Sequence, residues 1–209
     1  MNLTKEKELF QAGYKLVAGI DEAGRGPLAG PVVAACVVCA PNFQIKDELH
    51  LLKESKKLSA KKREMLFDVI MKSFTEVGIG ICDHKTIDRI NILQASFLAM
   101  KKAIGALRQK PEFILLDGRF KIPNSSYQQE AIIKGDNLVY TIAAASVIAK
   151  VTRDRIMREE HKKYPNYGFD KHKGYGTKFH LDCLQQYGPC PIHRQSFRPV
   201  RQAARNMKI

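Results

Sequence analysis

In the run Pro31–Ala40, PVVAACVVCA, every side chain is apolar or a cysteine. Valine suits a pleated strand, and a strand with nothing to show to water has to be buried. Such a strand needs a sheet around it. Leu16–Ile20 reads as a first strand ending in Asp21-Glu22, with Pro31–Ala40 as the second. Thr75–Cys82 alternates as a third, Phe113–Leu116 is a fourth that delivers Asp117 at its end, and Gln129–Ile133 is a short fifth. Between them lie segments of helical spacing. One starts in the basic stretch His50–Arg63, with Ser59 as N-cap, and continues to about Lys72. Ile92–Leu107 repeats Leu93, Phe97, Met100, Ile104 and Leu107, and Pro111 breaks it. From about Asn137 to Lys163 the pattern is helical again, until Pro165. The remainder has a loop rich in Gly, Tyr and Lys, then a helix near Lys178–Gln186, and is irregular around Pro189 and Pro191. Strands followed by helices indicate an α/β core over residues 1–163, with 164–209 as a helical extension.

Charge narrows the partners. The 209 residues include 35 Lys and Arg against 21 Asp and Glu, a formal charge of +14. Basic side chains that neutralise phosphates release condensed counterions, so the excess points to nucleic acid. No apolar run reaches membrane-spanning length, and Met1–Ala12 is too charged for a signal peptide, so a cytoplasmic protein is expected. Five cysteines, an odd number, fit a reduced compartment better than a disulfide framework.

The acids in this basic chain stand where strands end. Cutting a phosphodiester concentrates negative charge on phosphorus, and two divalent ions roughly 4 Å apart can hold the attacking and leaving oxygens. Hard ions need oxygen ligands. Asp21 and Glu22 end the first strand and Asp117 ends the fourth; parallel neighbours would bring Asp21 and Asp117 together. Adjacent strand residues point to opposite faces, so Glu22 joins Asp21 only if the strand has already stopped, as Gly24 and Gly26 permit. Asp136 follows Lys134-Gly135 and leans over the same edge from a helix start. Taken singly, each acid is as readily a solvated surface group or, for Asp136, an N-cap. Asp154 lies 18 residues beyond Asp136. That is about 27 Å along a continuous helix, which suits a salt bridge to Lys150 or Arg158 better than a shared metal site.

These residues sit in segments that resemble bacterial ribonuclease HII. Ala18–Val32 (AGIDEAGRGPLAGPV), Ser55–Ser59 (SKKLS), Asn91–Ala95 (NILQA), Leu116–Gly118 (LDG) and Lys134–Asp136 (KGD) match its signatures. So do Ile142–Asp154 (IAAASVIAKVTRD), Lys173–Thr177 (KGYGT) and His193–Val200 (HRQSFRPV), all in the family's order. The resemblance implies an RNase H-like core, a five-stranded mixed sheet flanked by helices, with the C-terminal extension completing a substrate groove. It implies that Asp21, Glu22, Asp117 and Asp136 are catalytic and bind two Mg²⁺ or Mn²⁺ ions. The implied substrates are RNA–DNA hybrids and DNA duplexes containing ribonucleotides, cut 5′ of the ribonucleotide to leave a 3′-hydroxyl and a 5′-phosphate. The implied role is ribonucleotide removal in DNA replication and repair, by a monomer. Gly24-Arg25-Gly26 would read the ribose, and the related type III enzymes differ in that turn. Tyr175 would pack on the following deoxyribose. The same resemblance adds Lys56, Lys57, Ser146 and Lys150 as substrate contacts. One departure is Glu54, where the family usually has Asp.

Two basic segments fit a polyanion: Lys53 to Arg63, and the aromatic-interleaved stretch from Tyr164 to Tyr175, in which Tyr164 and Phe169 are expected in the core. Two cysteine and histidine patterns suggest other chemistry. Cys36-x-x-Cys39 lies in a strand, where odd spacing puts the thiols on opposite faces. His180-x-x-Cys183 and Cys190-x-x-His193 have zinc-like spacing, but the family needs no zinc. A non-catalytic nucleic-acid-binding module would lack one of the four acids. A strand-transfer enzyme with the same core would lack the Gly24–Gly26 turn and the Lys173–Thr177 loop.

Overall fold

The computed structural model describes residues 3–45, 48–52 and 58–206; Glu54, Lys56 and Lys57 lie outside the described residues. Strands β1 (Val17–Ala23), β2 (Val32–Cys39), β3 (Glu76–Cys82), β4 (Phe113–Asp117) and β5 (Gln128–Ile132) form one mixed sheet in the order β3-β2-β1-β4-β5. β2 is antiparallel to both β1 and β3, whereas β1, β4 and β5 run parallel. The carboxyl ends of these three parallel strands therefore share one edge of the sheet. The β1–β4 ladder pairs Val17–Ile20 with Phe113–Leu116 and goes no further, while β1 continues along β2 to Ala23. Beyond Ile20 the β4 side of β1 has no partner strand, and a gap opens at the acidic edge.

Each face of the sheet is covered by helix. On one face, Ala95, Ala99, Met100 and Ala103 of α4 (Ile92–Gly105) pack on Ala18, Ile20, Ala34 and Cys36. On the other, Ala144, Val147, Ile148 and Val151 of α6 (Tyr140–Lys163) pack on Ala35, Val37 and Cys39, joined by Leu66 and Ile70 of α2 (Ala60–Ser73). Each fully buried Leu or Ile here contributes roughly 1.5–3 kcal/mol. Cys36 and Cys39 fall in opposite layers as buried free thiols. Helix α6 crosses β1 at Gly19, where a Cβ would lie 2.2 Å from the Thr141 carbonyl carbon. Only glycine allows that approach, and it fixes the helix over the end of β1. Ser59 caps α2 as its sequence predicts, accepting from the Lys62 amide at 3.3 Å.

Three helices and one break depart from the sequence reading. Helix α1 (Thr4–Gln11) is mostly polar, yet its buried Glu6 accepts from Thr141 N at 2.8 Å and Thr141 Oγ1 at 3.0 Å, tying it to the start of α6. Helix α3 (His84–Ile90) is capped by Asp83, and α9 (Arg198–Asn206) occupies a stretch without a clear apolar repeat. The helix expected from about Asn137 is two helices, α5 (Gly135–Leu138) and α6. Lys134 enters α5 at φ 58°, and Val139 is extended between the two with its side chain buried beside Leu9, Val17 and Leu115. Asp136 therefore sits on its own short turn, not on the long helix. After α6 come a 3₁₀ turn (Pro165–Tyr167), α7 (Phe169–His172) and α8 (Lys178–Tyr187). Phe169 is fully buried with Met157, Cys183 and Cys190, and Tyr164 packs half-buried against them. Among the described residues no helix is long and apolar enough to cross a membrane.

Candidate active site

The four acids stand along the shared edge of the parallel strands. Asp21 and Glu22 stand near the end of β1, but the strand does not stop before Glu22, because pairing with β2 carries it on to Ala23. They consequently point to opposite faces: Asp21 pairs with Ala35 on the α6 side and Glu22 with Ala34 on the α4 side. The missing β4 pairing still lets both carboxylates feel Asp117. Burial, then the charges of Glu22 and Asp117, raise the Asp21 carboxyl well above the usual range, against hydrogen bonds from the Ser146 hydroxyl and the Glu22 amide. Burial also raises Glu22, opposed by Arg25, whose Nη1 lies 3.3 Å from Glu22 Oε1. Asp117 Oδ1 accepts from Gly135 N at 2.7 Å, which sets Asp136 one residue beyond. Asp136 is buried and accepts from Asn137 Nδ2 at 3.2 Å. Among the described residues no three His, Cys, Asp or Glu side chains form a closed metal-holding group. The donor set nevertheless fits a hard cation: it is all carboxylate, and the crowding of Asp21, Glu22 and Asp117 is relieved by positive charge.

A cleft of about 560 Å³ opens beside Glu22. It gathers Gly24, Arg25 and Gly26, Ser146 and Lys150 of α6, and Tyr175, all singled out from sequence. Lys150 plays two parts, since its Nζ is also 2.7 Å from Asp154 Oδ1. The Tyr175 ring, 44% exposed, has Lys150 Nζ 6.0 Å from its centroid. Arg63 of α2 lines the cleft as well. The sequence marked it only as part of a basic run; its place as the last residue of Lys61-Lys62-Arg63, one turn into α2, was the available signal.

Two residues beneath the cleft were missed as site residues, although both lie in matched segments. Arg153 and Arg194 are buried, and their hydrogen bonds go to backbone carbonyls. Arg153 reaches Pro31, Ala29 and Lys173 at 2.9, 3.0 and 2.8 Å. Arg194 reaches Gly30, Arg25, Gly24 and Pro31 at 3.0, 3.0, 2.6 and 3.1 Å. Burial lowers the two guanidiniums to about 10 and about 9, which leaves both charged at neutral pH. Gly24, at φ 102°, is a glycine for two reasons: that conformation, and a Cβ position only 2.2 Å from Arg153 Nε.

The zinc-like residues are committed to one another. The Cys190 amide donates to His193 Nδ1 at 2.9 Å, so the His193 proton is on Nε2. It is given to His180 Nε2 at 2.9 Å, and His180 Nδ1 donates to the Tyr175 carbonyl at 2.9 Å. Cys183 Sγ donates to Asn166 O at 3.2 Å. Burial lowers His180 to about 4 and His193 to about 3, so both rings are neutral. The unfolded chain, with histidine near 6.5, takes up protons that the native state refuses. The contribution of this pair to stability is therefore full above about pH 6.5 and falls below it, with a slope approaching about 2.7 kcal/mol per pH unit for two such groups. Urea midpoints between pH 4 and 7 should show this dependence, and a His180→Gln/His193→Gln double variant should flatten it. Equal slopes in the two proteins would show that other groups govern acid stability.

Comparison with known proteins agrees with this geometry. The family model described as Ribonuclease HII matches residues 18–200. A ribonuclease HII of Acetivibrio thermocellus is 56% identical over 192 residues, 92% of this chain and 73% of that protein. Another, of Caldanaerobacter subterraneus, is 53% identical over 92% of this chain and 78% of its own length. The crystal structure of the ribonuclease H2 from Pyrococcus horikoshii is similar with a TM-score of 0.75 and 30% identity, covering 92% of this chain and 99% of that one. The chain belongs to the ribonuclease HII family: it is a type 2 ribonuclease H, an endoribonuclease that acts on the RNA of RNA–DNA hybrids, in a family that depends on divalent metal.

Proposed function

We propose that Asp21, Glu22, Asp117 and Asp136 together bind two divalent ions, Mg²⁺ or Mn²⁺, and that the enzyme cuts on the 5′ side of ribonucleotides embedded in duplex DNA. The products are a 3′-hydroxyl and a 5′-phosphate, and the role is ribonucleotide removal during DNA replication and repair, by a monomer in the cytoplasm. The observation that carries this is the direct continuity of the acidic edge with a basic cleft, since Glu22 faces Asp117 electrostatically and also lines the cleft. When bound, the ions supply a hydroxide-like nucleophile and charge stabilisation for the leaving oxygen. The chain's own residues do the rest. Arg25, Arg63 and Lys150 hold phosphates, joined in this reading by Lys56 and Lys57. Ser146 keeps the Asp21 carboxylate aimed. The Gly24–Gly26 turn reads the 2′-hydroxyl, the group that distinguishes RNA from DNA. Residues 164–209 complete the groove by presenting Tyr175. The decisive experiment is cleavage of a duplex carrying one ribonucleotide beside the same duplex made wholly of DNA. Cutting of both, or of neither while a long hybrid is cut, rejects the embedded-ribonucleotide reading.

Tyr175→Ala is expected to lower cleavage at an RNA–DNA junction about tenfold more than cleavage inside continuous RNA of a hybrid, the equivalent of about 1.4 kcal/mol of ring contact. A bare deoxyribose packs on an aromatic ring, whereas a hydroxyl there crowds it. The ring is exposed in the cleft, so its loss should leave the melting temperature nearly unchanged. An unchanged ratio of the two rates removes the junction-sensing role.

A further inference from the structure

We infer that Arg194 is a positioning residue for ribose recognition: it holds the Gly24 and Arg25 carbonyls inward and so fixes the Arg25 and Gly26 amides toward the cleft. Arg194 Nη2 donates to Gly24 O at 2.6 Å and Nη1 to Arg25 O at 3.0 Å, while Nε and Nη2 hold Gly30 and Pro31 on the far side of the same loop. Among the described residues no peptide bond is cis. In a trans peptide the N–H points opposite to the C=O. With both carbonyls turned onto the buried guanidinium, the amides of Arg25 and Gly26 face the other way, and these two residues line the cleft. Neither amide donates to another group among the described residues. They are donors held ready for an oxygen acceptor.

The anchor is itself fixed. Arg194 N donates to Leu28 O at 2.9 Å. The next two amides, Gln195 N and Ser196 N, donate to Asp88 at 2.9 Å each, and Ser196 Oγ to Asp88 at 2.6 Å. Arginine is required because a rigid fork addresses several carbonyls at once; a lysine keeps the charge but offers a single point. Burying a cation is expensive, and Arg194 sets against that cost four carbonyls, the Phe197 ring centroid 5.1 Å from its guanidinium carbon, and the charge of Asp88. Two of the four carbonyls belong to the turn.

This inference rests on the reading that the turn senses the 2′-hydroxyl, and the experiment separates the two. Binding is measured by fluorescence anisotropy in EDTA, so that no cleavage occurs, on a labelled duplex with one ribonucleotide and on the same duplex of DNA alone. Arg194→Lys should lower the ratio of the two affinities about fivefold, as expected for one misdirected hydrogen bond, while affinity for the DNA duplex stays within about twofold. A merely structural role lowers the melting temperature but leaves the ratio of the folded protein at the wild-type value; that result overturns the inference. If Arg194→Lys does not fold, Asp88→Ala, which frees the residues beyond Arg194 without removing the buried charge, should lower the ratio about twofold; an unchanged ratio there also overturns it. Gly26→Ala tests the underlying reading. Its Cβ would meet only Tyr175 Cε1, at 3.7 Å, so the fold tolerates it, but the methyl enters the cleft that both residues line and would keep a ribose from closing on the Gly26 amide. Wild-type protein without discrimination, or Gly26→Ala with full discrimination, shows that the turn does not sense the ribose. Loss in Gly26→Ala with a wild-type ratio in Arg194→Lys rejects Arg194 alone.

Discussion

Asp21→Asn should lower turnover at least about a thousandfold, some 4 kcal/mol of transition-state stabilisation, while substrate affinity in EDTA stays close to wild type. The acid is buried, hydrogen-bonded by Ser146, and electrostatically coupled to Glu22 and Asp117, so its charge acts at the shared edge and not on distant phosphates. The amide keeps the shape and removes the negative charge that the proposed ions would meet. A second effect runs the opposite way. The folded-state Asp21 carboxyl is raised above its unfolded value, so the native state binds more protons than the unfolded chain. Without metal, the Asp21 contribution to stability falls as pH rises above about 4 and through the folded value. Asparagine removes this penalty, so the variant should melt at a higher temperature than wild type in EDTA at pH 8. Added Mg²⁺ should stabilise wild type more than the variant. Wild-type turnover at saturating Mg²⁺, or equal Mg²⁺ stabilisation of the two proteins, would remove Asp21 from the metal site.

Salt should weaken substrate binding steeply. Arg25, Arg63 and Lys150 line the cleft, and the chain's net charge is +14. If about five phosphates are neutralised, log affinity falls with log salt at a slope of about −4.5, or about 500-fold between 50 and 200 mM. Arg63→Ala should make the slope shallower by about one without changing the preference for a ribonucleotide, because a phosphate contact carries no information about the sugar. Anisotropy titrations across that range would measure both. A flat plot would show that the positive charge serves something other than this duplex.

What could be read from the sequence, and what could not, follows from the range of the forces involved. The buried strand Val32–Cys39 announces itself because every position must be apolar, and the Ser59 cap because the rule is local. The parallel meeting of β1 and β4 follows from ordinary α/β packing. The stop of β1 before Glu22 was expected too early because strand length is set by the partner. The ladder with β4 ends at Ile20, but β2 carries β1 on to Ala23, a fact held by no single segment. The break at Val139 was hidden for the same reason, since Val139 fits a helical pattern and leaves the helix only to fill a pocket lined by Leu9, Val17 and Leu115. Helix α1 is polar enough to read as solvent-exposed until Thr141 is found beside Glu6. Arg153 and Arg194 were invisible as a pair because their partners are carbonyls, which every residue owns, so no side-chain type marks the contact.

The order of these parts along the chain has a consequence for how the protein is made. The last of the four acids is residue 136, and the cleft floor needs Arg153, the carbonyl of Lys173 and finally Arg194. A nascent chain thus carries its whole set of acids well before it can close the loop at residues 24–31 around a guanidinium. Until the C-terminal segment emerges, that loop has no anchor from Arg194, Gly30 N has no Ile192 carbonyl to donate to, and Leu28 N has none from Gly174. The hydrogen bonds that hold this loop thus cross the boundary near residue 163. Ribosome-bound intermediates ending there should leave the loop at residues 24–31 open, and ribonucleotide discrimination is expected only once Arg194 has left the ribosome.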